Sequence, residues 1–327
     1  MVEKYRISIV IPTHNRADSL RITLNCLENM DWHGVRAEIV VVDNGSTDTT
    51  PIVVEEYGER LPVRYLYEPT AGVWGKSHAL NRALDEGRLG DIIVVLDDDM
   101  SPHTDWLQGV AAISDRWPDK DIFTGNNYVI WPTQSVPDWV LEPAIQVGIF
   151  SLISFGEKDE MLKRGTWFAG GHFWFRSRVL FDGKRFEDVW RTEPAFMLRL
   201  TEEGYEGVYG ADAVAGHRIQ PDLLNEQTAW KRAVKEGRTL AEVRLIPYRE
   251  CVKAARKFRR HPLIARLFCI VMALKWGGVI LLAKCHKSPT RRFGAGLRGI
   301  REFVYYRELL RLAGRLSEYR IGRRGTV

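Results

Sequence analysis

Four short apolar runs punctuate the first hundred residues, at 7–11, 38–42, 63–67 and 92–96. Stretches with helical spacing separate them, at 17–30 (Leu20, Leu24 and Leu27 on one side), 49–57 and 77–84. A strand that is apolar at nearly every position must be covered on both faces. Such strands alternating with helices predict an α/β fold with a mostly parallel central sheet and flanking helices. In sheets of that kind, ligands bind at the carboxyl ends of the strands.

Other signals narrow the class. No GxGxxG follows a strand, and no GxxxxGK[ST] or GxSxG is present, which disfavours dinucleotide dehydrogenases, P-loop enzymes and α/β-hydrolases. The four cysteines form no CxxC pair, so a reducing cytosol is expected. The N-terminus runs straight into the first strand, and no secretory signal is expected. Residues 125–164 are interrupted by Trp131, Pro132, Pro137 and Trp139 and read as a long irregular segment. Helical spacing returns at 193–203, with Gly204 as its C-cap.

Two polar clusters sit where the strands end. Asp97, Asp98 and Asp99 follow the fourth run directly. Three adjacent carboxylates repel one another unless a cation intervenes, and Mg²⁺ or Mn²⁺ with oxygen ligands would then grip a diphosphate. Away from a buried strand, the same triplet would read as a solvated acidic turn. The segment from Asp43 to Asp48 follows the second run and serves equally as a turn with a helix N-cap.

These segments resemble family-2 glycosyltransferases of the GT-A fold. The resemblance rests on Ser8-Ile9-Val10-Ile11-Pro12-Thr13-His14-Asn15-Arg16, on Val41 through Asp48, on Leu96-Asp97-Asp98-Asp99, and on Gly75-Lys76-Ser77-His78-Ala79-Leu80-Asn81. It covers residues 5–219. It implies that Pro12, Thr13, Asn15, Asp43, Lys76, Asp97 and Asp98 bind the nucleotide, with Asp43 on the base, usually uracil. It implies Asp99 as the metal ligand, for Mn²⁺ or Mg²⁺, and His217 as a further one. Trp167, Gly170, Gly171 and His172 resemble the acceptor loop. The family's Glu-Asp pair, counted back from Arg199, falls here on Thr192 and Glu193, so the resemblance implies Glu193 as general base in place of aspartate. An intact Glu187-Asp188 pair lies upstream at a different spacing. Core packing for Trp167, a partly buried histidine for His217 and a helix-dipole carboxylate for Glu193 are the structural alternatives.

The charge is divided along the chain. Residues 231–327 hold 25 Lys and Arg against 6 Asp and Glu, leaving 22 against 36 in residues 1–230. Within the basic part, residues 263–283 are mostly apolar but carry Arg266 and Lys275. A lysine at the centre of a span costs about 2.5–3.5 kcal/mol. Basic clusters on both sides fit a helix lying in an anionic membrane surface better than one crossing it. No nucleic-acid motif accompanies the charge.

The expected organisation is a catalytic domain over 1–220, with a nucleotide-binding half to about 100 and an acceptor-side half beyond it. A basic, amphipathic helical region follows over 221–327. The expected function is inverting transfer of a sugar from a nucleotide donor, UDP-linked by resemblance, to a carbohydrate or lipid-linked acceptor, on the cytoplasmic face of the cell membrane. A sugar nucleotidyltransferase and a non-catalytic sugar-nucleotide or membrane-binding protein are the alternatives.

Overall fold

The computed structural model describes residues 5–70, 75–133, 135–163, 171–188, 192–245, 262–285 and 288–313. The chain divides into two units, residues 1–132 with 151–219, and residues 133–150 with 220–327. The excursion 133–150, placed by sequence with the acceptor-side half, therefore belongs to the second unit.

The first unit opens with β1 (Arg6–Thr13), α1 (Ala17–Glu28), β2 (Arg36–Asp43), α2 (Thr50–Gly58), β3 (Val63–Tyr67), α3 (Gly75–Asp85) and β4 (Ile92–Leu96). β1 pairs in parallel with both β2 and β4, and β2 with β3. Each strand feeds both layers. Ile7, Ile9 and Ile11 pack with Leu20, Leu24 and Leu27 of α1, whereas Val10 turns to Ala79, Leu80 and Ala83 of α3. This two-sided burial explains why the strands read as continuous apolar runs.

The remainder is mixed rather than parallel. It comprises β5 (Met100–Pro102), α4 (Trp106–Arg116), β6 (Ile122–Ile130), β7 (Glu160–Leu162), β8 (His172–Arg176), α6 (Thr192–Glu203) and β9 (Gly207–Arg218). The strand order is β3-β2-β1-β4-β8-β6-β9-β5, with β7 also on β9. β8 is antiparallel to β4 and β6, β5 is antiparallel to β9, and β6 is parallel to β9. Sequence spacing misses β6 because its register shifts between Gly125 and Asn126, which breaks its alternation.

Gly125 is required at that shift. A Cβ there would lie 1.9 Å from His172 Nε2 and 2.5 Å from the Ala213 carbonyl oxygen, a backbone atom with nowhere to go. Gly125→Ala is expected to cost about 1–3 kcal/mol, read as a lowered midpoint in thermal unfolding.

The second unit is helical, with α5 (Pro143–Gly148), α7 (Glu226–Leu245), α8 (Pro262–Lys284) and α9 (Pro289–Ala313). Ala241 of α7, Ala265 and Cys269 of α8, and Tyr305 and Leu309 of α9 form its core. Trp139 packs edge-on against Phe293 with ring centroids 4.9 Å apart. The basic cluster at 256–260 and the basic stretch beyond 313 lie outside the described residues.

Candidate active site

The strand order reverses between β1 and β4: the chain winds outward through β2 and β3, then returns to the other side of β1. A crevice forms beyond the carboxyl ends of two such strands. Here those ends are Thr13 and Leu96, which brings the Pro12–Arg16 loop against Asp97–Asp99. A cavity of about 190 Å³ opens at this point, lined by the predicted Pro12, Thr13, Lys76, Asp97 and Asp98. His14, Arg16 and Asn44 also line it.

Each of the three aspartates is paired with a cation, and Asp98 and Asp99 share Arg16. Lys76, in the first turn of α3, donates to Asp97 Oδ1 at 2.6 Å and also contacts Glu193 Oε1 in the first turn of α6. One ammonium thus joins the predicted base to the acidic triplet. Asp98 is buried, accepts from Thr13 Oγ1 at 2.7 Å and pairs with Arg16 Nη1 at 2.8 Å. Asp99 pairs with Arg16 Nη2 at 3.0 Å, and its Oδ1 faces His217 Nε2 at 3.7 Å. His217 is brought there by the β5–β9 ladder, in which it opposes Met100. Arg218, the next residue, donates to the carbonyls of Asp98 (2.9 Å), Met100 (2.6 Å) and Ser19 (2.9 Å), clamping the turn from behind.

Burial raises Asp97 to about 6, with Lys76 opposing and the charges of Glu193 and Asp99 adding to it. Burial likewise raises Asp98 to about 7 against the pull of Arg16. Burial would raise Asp99 too, but hydrogen bonding and charge from His217 and Arg16 outweigh it and hold Asp99 below the usual carboxylate range. The crevice is therefore a site where ionised carboxylates accumulate as pH rises.

A sign follows for stability. Asp97 and Asp98 hold protons in the folded chain that the unfolded chain has already lost, so their contribution to stability falls as pH rises from about 4 through about 7. A divalent cation relieves that cost only where they are ionised. The increase in melting temperature caused by Mn²⁺ is expected to be larger at pH 8 than at pH 5.5. Comparing with and without metal at each pH cancels the opposing effect of His172, which burial pushes down to about 4 and which costs stability as pH falls below about 6.5.

The fit to a metal can be judged from the donors. Asp99 Oδ1 is buried, and His217 Nε2 lies opposite it at 3.7 Å. Among the described residues, no group of three or more His, Cys, Asp or Glu is arranged around one point. Among the described residues, Asp99 and His217 would thus make a two-ligand seat. That suits Mg²⁺ or Mn²⁺ completed by phosphate oxygens and water rather than a closed protein cage.

Other predicted residues are placed differently. Asn15 takes a positive φ of 50°, which asparagine tolerates better than most residues. Its Oδ1 accepts from the Thr47 N–H at 2.7 Å, so it ties the β1–α1 loop to the β2–α2 loop. Asp43 is fully buried and accepts from the Ser46 N–H and the Tyr65 hydroxyl, both at 2.8 Å. It shapes the pocket's edge without lining the cavity. Gly171 accepts from the Asp97 N–H at 2.7 Å and so touches the triplet through its backbone. His172, expected in the acceptor loop, has its ring in the core, edge-on to Trp106 with centroids 6.2 Å apart. Trp167 and Gly170 lie outside the described residues. Of the alternative pair, Glu187 is held by Arg199 at 2.7 Å, while the half-exposed Asp188 accepts from Ser77 Oγ at 2.6 Å, one residue from Lys76.

Comparison with known proteins bears on the family and the fold. Residues 8–183 match the family described as Glycosyl transferase family 2. Glycosyltransferase AglE of Haloferax volcanii is 30% identical over 227 residues, covering 68% of this chain and 70% of that protein. The chondroitin synthase of Escherichia coli is 27% identical over 288 residues, covering 74% of this chain and 41% of the synthase. The chain spans less than half the length of most of the curated relatives it matches. Among solved structures, the mannosyltransferase PcManGT from Pyrobaculum calidifontis, in complex with GDP-Man and Mn²⁺, superposes with a TM-score of 0.59 at 19% identity, over 91% of this chain and 86% of that one. The mixed sheet, the crevice at its switch point and the match over more than half the sequence lead to one conclusion: this chain belongs to glycosyl transferase family 2 and has the GT-A fold.

Proposed function

We propose that the chain is an inverting, metal-assisted glycosyltransferase that uses a nucleoside-diphosphate sugar. The observation that carries this reading is Lys76, which joins Asp97 beside the cavity to Glu193 on the neighbouring helix. A donor bound at the triplet would then present its anomeric carbon toward a carboxylate. An acceptor hydroxyl gives its proton to Glu193 while its oxygen bonds to the anomeric carbon. The bond from that carbon to the diphosphate breaks, and its electron pair leaves with the nucleoside diphosphate. Lys76 and Arg16 offset negative charge beside the departing diphosphate. A Mg²⁺ or Mn²⁺ at Asp99 and His217, when bound, supplies Lewis-acid neutralisation of that diphosphate. A uracil base rests on the resemblance of Asp43 to the family's base-binding aspartate alone, since in this structure both of its oxygens are taken by Ser46 and Tyr65.

The second unit supports an anionic membrane surface as partner. Residues 263–284 are long and apolar enough to cross a bilayer by length and composition. Their arrangement favours lying in its plane. Ala265, Cys269 and Ala283 are buried along one stripe, whereas Leu263, Leu267 and Leu274 are 78%, 63% and 72% exposed on the opposite face. Wound at about 100° per residue, Arg266 and Lys284 fall on one flank of that apolar face and Lys275 on the other. Cations along both sides of a helix snorkel to headgroups in an in-plane pose. A carbohydrate or lipid-linked acceptor on the cytoplasmic face of the membrane fits this placement.

Product analysis over a panel of nucleotide sugars with Mn²⁺ or Mg²⁺ tests the reading. Release of a nucleoside diphosphate with glycosylated acceptor is expected. Pyrophosphate release would indicate a nucleotidyltransferase, and binding without turnover a non-catalytic protein.

A further inference from the structure

Arg16 stands immediately before α1 and reaches across the crevice to two of the three aspartates. Its Nη1 lies 2.8 Å from Asp98 Oδ1 and its Nη2 3.0 Å from Asp99 Oδ2. The two carboxylates are held unequally. Asp98 is fixed a second time by Thr13 Oγ1, which donates to its other oxygen at 2.7 Å. The other oxygen of Asp99 faces His217 Nε2 at 3.7 Å. In an octahedral ion with ligands at about 2.0–2.1 Å, neighbouring ligands stand about 3 Å apart and opposite ones about 4 Å. Asp99 or His217 must therefore shift to share a metal, and Arg16 restrains Asp99. The guanidinium can move without its backbone. The Arg16 carbonyl accepts from the Leu20 N–H at 2.9 Å, and the Ala17 N–H donates to Asp48 Oδ2 at 3.0 Å, so the start of α1 is pinned. The Arg16 side chain is 35% exposed and lines the cavity. Arg218 holds the turn through the carbonyls of Asp98 and Met100, independently of Arg16.

We propose that Arg16 is an internal counter-cation that competes with the metal for Asp99 and gives way when a nucleoside diphosphate draws its guanidinium off. The inference rests on the metal seat at Asp99 and His217 and deepens that reading. A guanidinium forks onto phosphate oxygens as it does onto carboxylates. A diphosphate in the crevice therefore offers Arg16 new acceptors in the cavity that it already lines. Asp99 Oδ2 is released, and the carboxylate can turn toward His217. Metal and nucleotide thus tighten each other's binding by the same factor. Arg16 acts on the metal through Asp99, as a positioning residue. Its effect differs from that of charge alone, because the restraint comes from one planar fork that grips Asp98 and Asp99 together.

Titration of the full chain with Mn²⁺, read by the electron paramagnetic resonance of the free ion, tests this with and without UDP. In wild type, UDP is expected to tighten Mn²⁺ binding about 50-fold. Arg16→Met, with unchanged circular dichroism, should raise the affinity for Mn²⁺ alone about tenfold and cut the enhancement by UDP to about fivefold. Arg16→Lys keeps the charge but cannot fork across Asp98 and Asp99, so it should raise the affinity for Mn²⁺ alone about threefold. Unchanged or weaker binding of Mn²⁺ alone in Arg16→Met would overturn the competition. Arg16→Lys matching wild type while Arg16→Met binds more tightly would overturn it too, leaving charge repulsion in its place. In either case, Mn²⁺ that still binds wild type with UDP and is lost in Asp99→Asn would leave the metal seat standing. Failure of wild type to bind Mn²⁺ even with UDP would overturn the seat itself and this inference with it.

Discussion

Glu193→Gln is expected to lower the rate of sugar transfer by about 10²–10⁴-fold while leaving donor affinity unchanged. The substitution keeps the shape of the side chain and an oxygen for Lys76, and removes only the capacity to take a proton. Lys76 also keeps Asp97 at 2.6 Å, so its ammonium is not left unpaired in a buried place. Equal falls in kcat and kcat/KM would identify an interaction made in the transition state alone. Asp188→Asn is the natural comparison, because Asp188 hangs from Ser77 beside Lys76 and belongs to the intact Glu-Asp pair. It is expected to retain most of the activity. If the two variants exchanged behaviour, Asp188 would be the base and Glu193 the counter-ion of Lys76.

Asp99→Asn should produce the second large loss, at least about 100-fold in kcat/KM, consistent with the several kcal/mol that a metal contributes to charge stabilisation. It should also abolish the effect of Mn²⁺ on nucleotide binding, which titration calorimetry with UDP reads without turnover. The fold should tolerate the change, since Arg16 keeps its 2.8 Å contact with Asp98 and Arg218 still holds the turn through backbone carbonyls. If Asp99 and His217 are the two ligands that the described residues supply, Mn²⁺ should bind wild type weakly alone and much more tightly with UDP present. Metal-independent UDP binding of undiminished strength in wild type would remove the seat at Asp99 and His217.

The parts of this site that were legible in sequence are those that sit at the ends of elements with strong local signals. Asp97–Asp99 follow a strand apolar at every position, Lys76 opens a helix, and Glu193 stands in the first turn of another. Their convergence follows from the winding rule for α/β sheets. The parts that were hidden depend on neighbours far apart in the chain. Arg16 reads locally as a residue before a helix. Only the adjacency of β1 and β4 makes it the cation across Asp98 and Asp99. Arg218 ends a strand with no period-2 pattern, and its carbonyl partners lie more than a hundred residues away. Resemblance puts His172 in the acceptor loop, whereas in the fold β8 begins at that residue and its ring lies against Gly125. Sequence signals mark a motif's position in the fold, but the direction of a side chain waits on strand register.

The most direct test is the anomeric configuration of the transferred sugar, read by proton NMR on product made with the donor that the nucleotide-sugar panel selects. A single displacement assisted by one carboxylate predicts inversion relative to the donor, lost along with turnover in Glu193→Gln. Retention of configuration would contradict the account, because it requires a second displacement and a different assignment of the residues around Lys76.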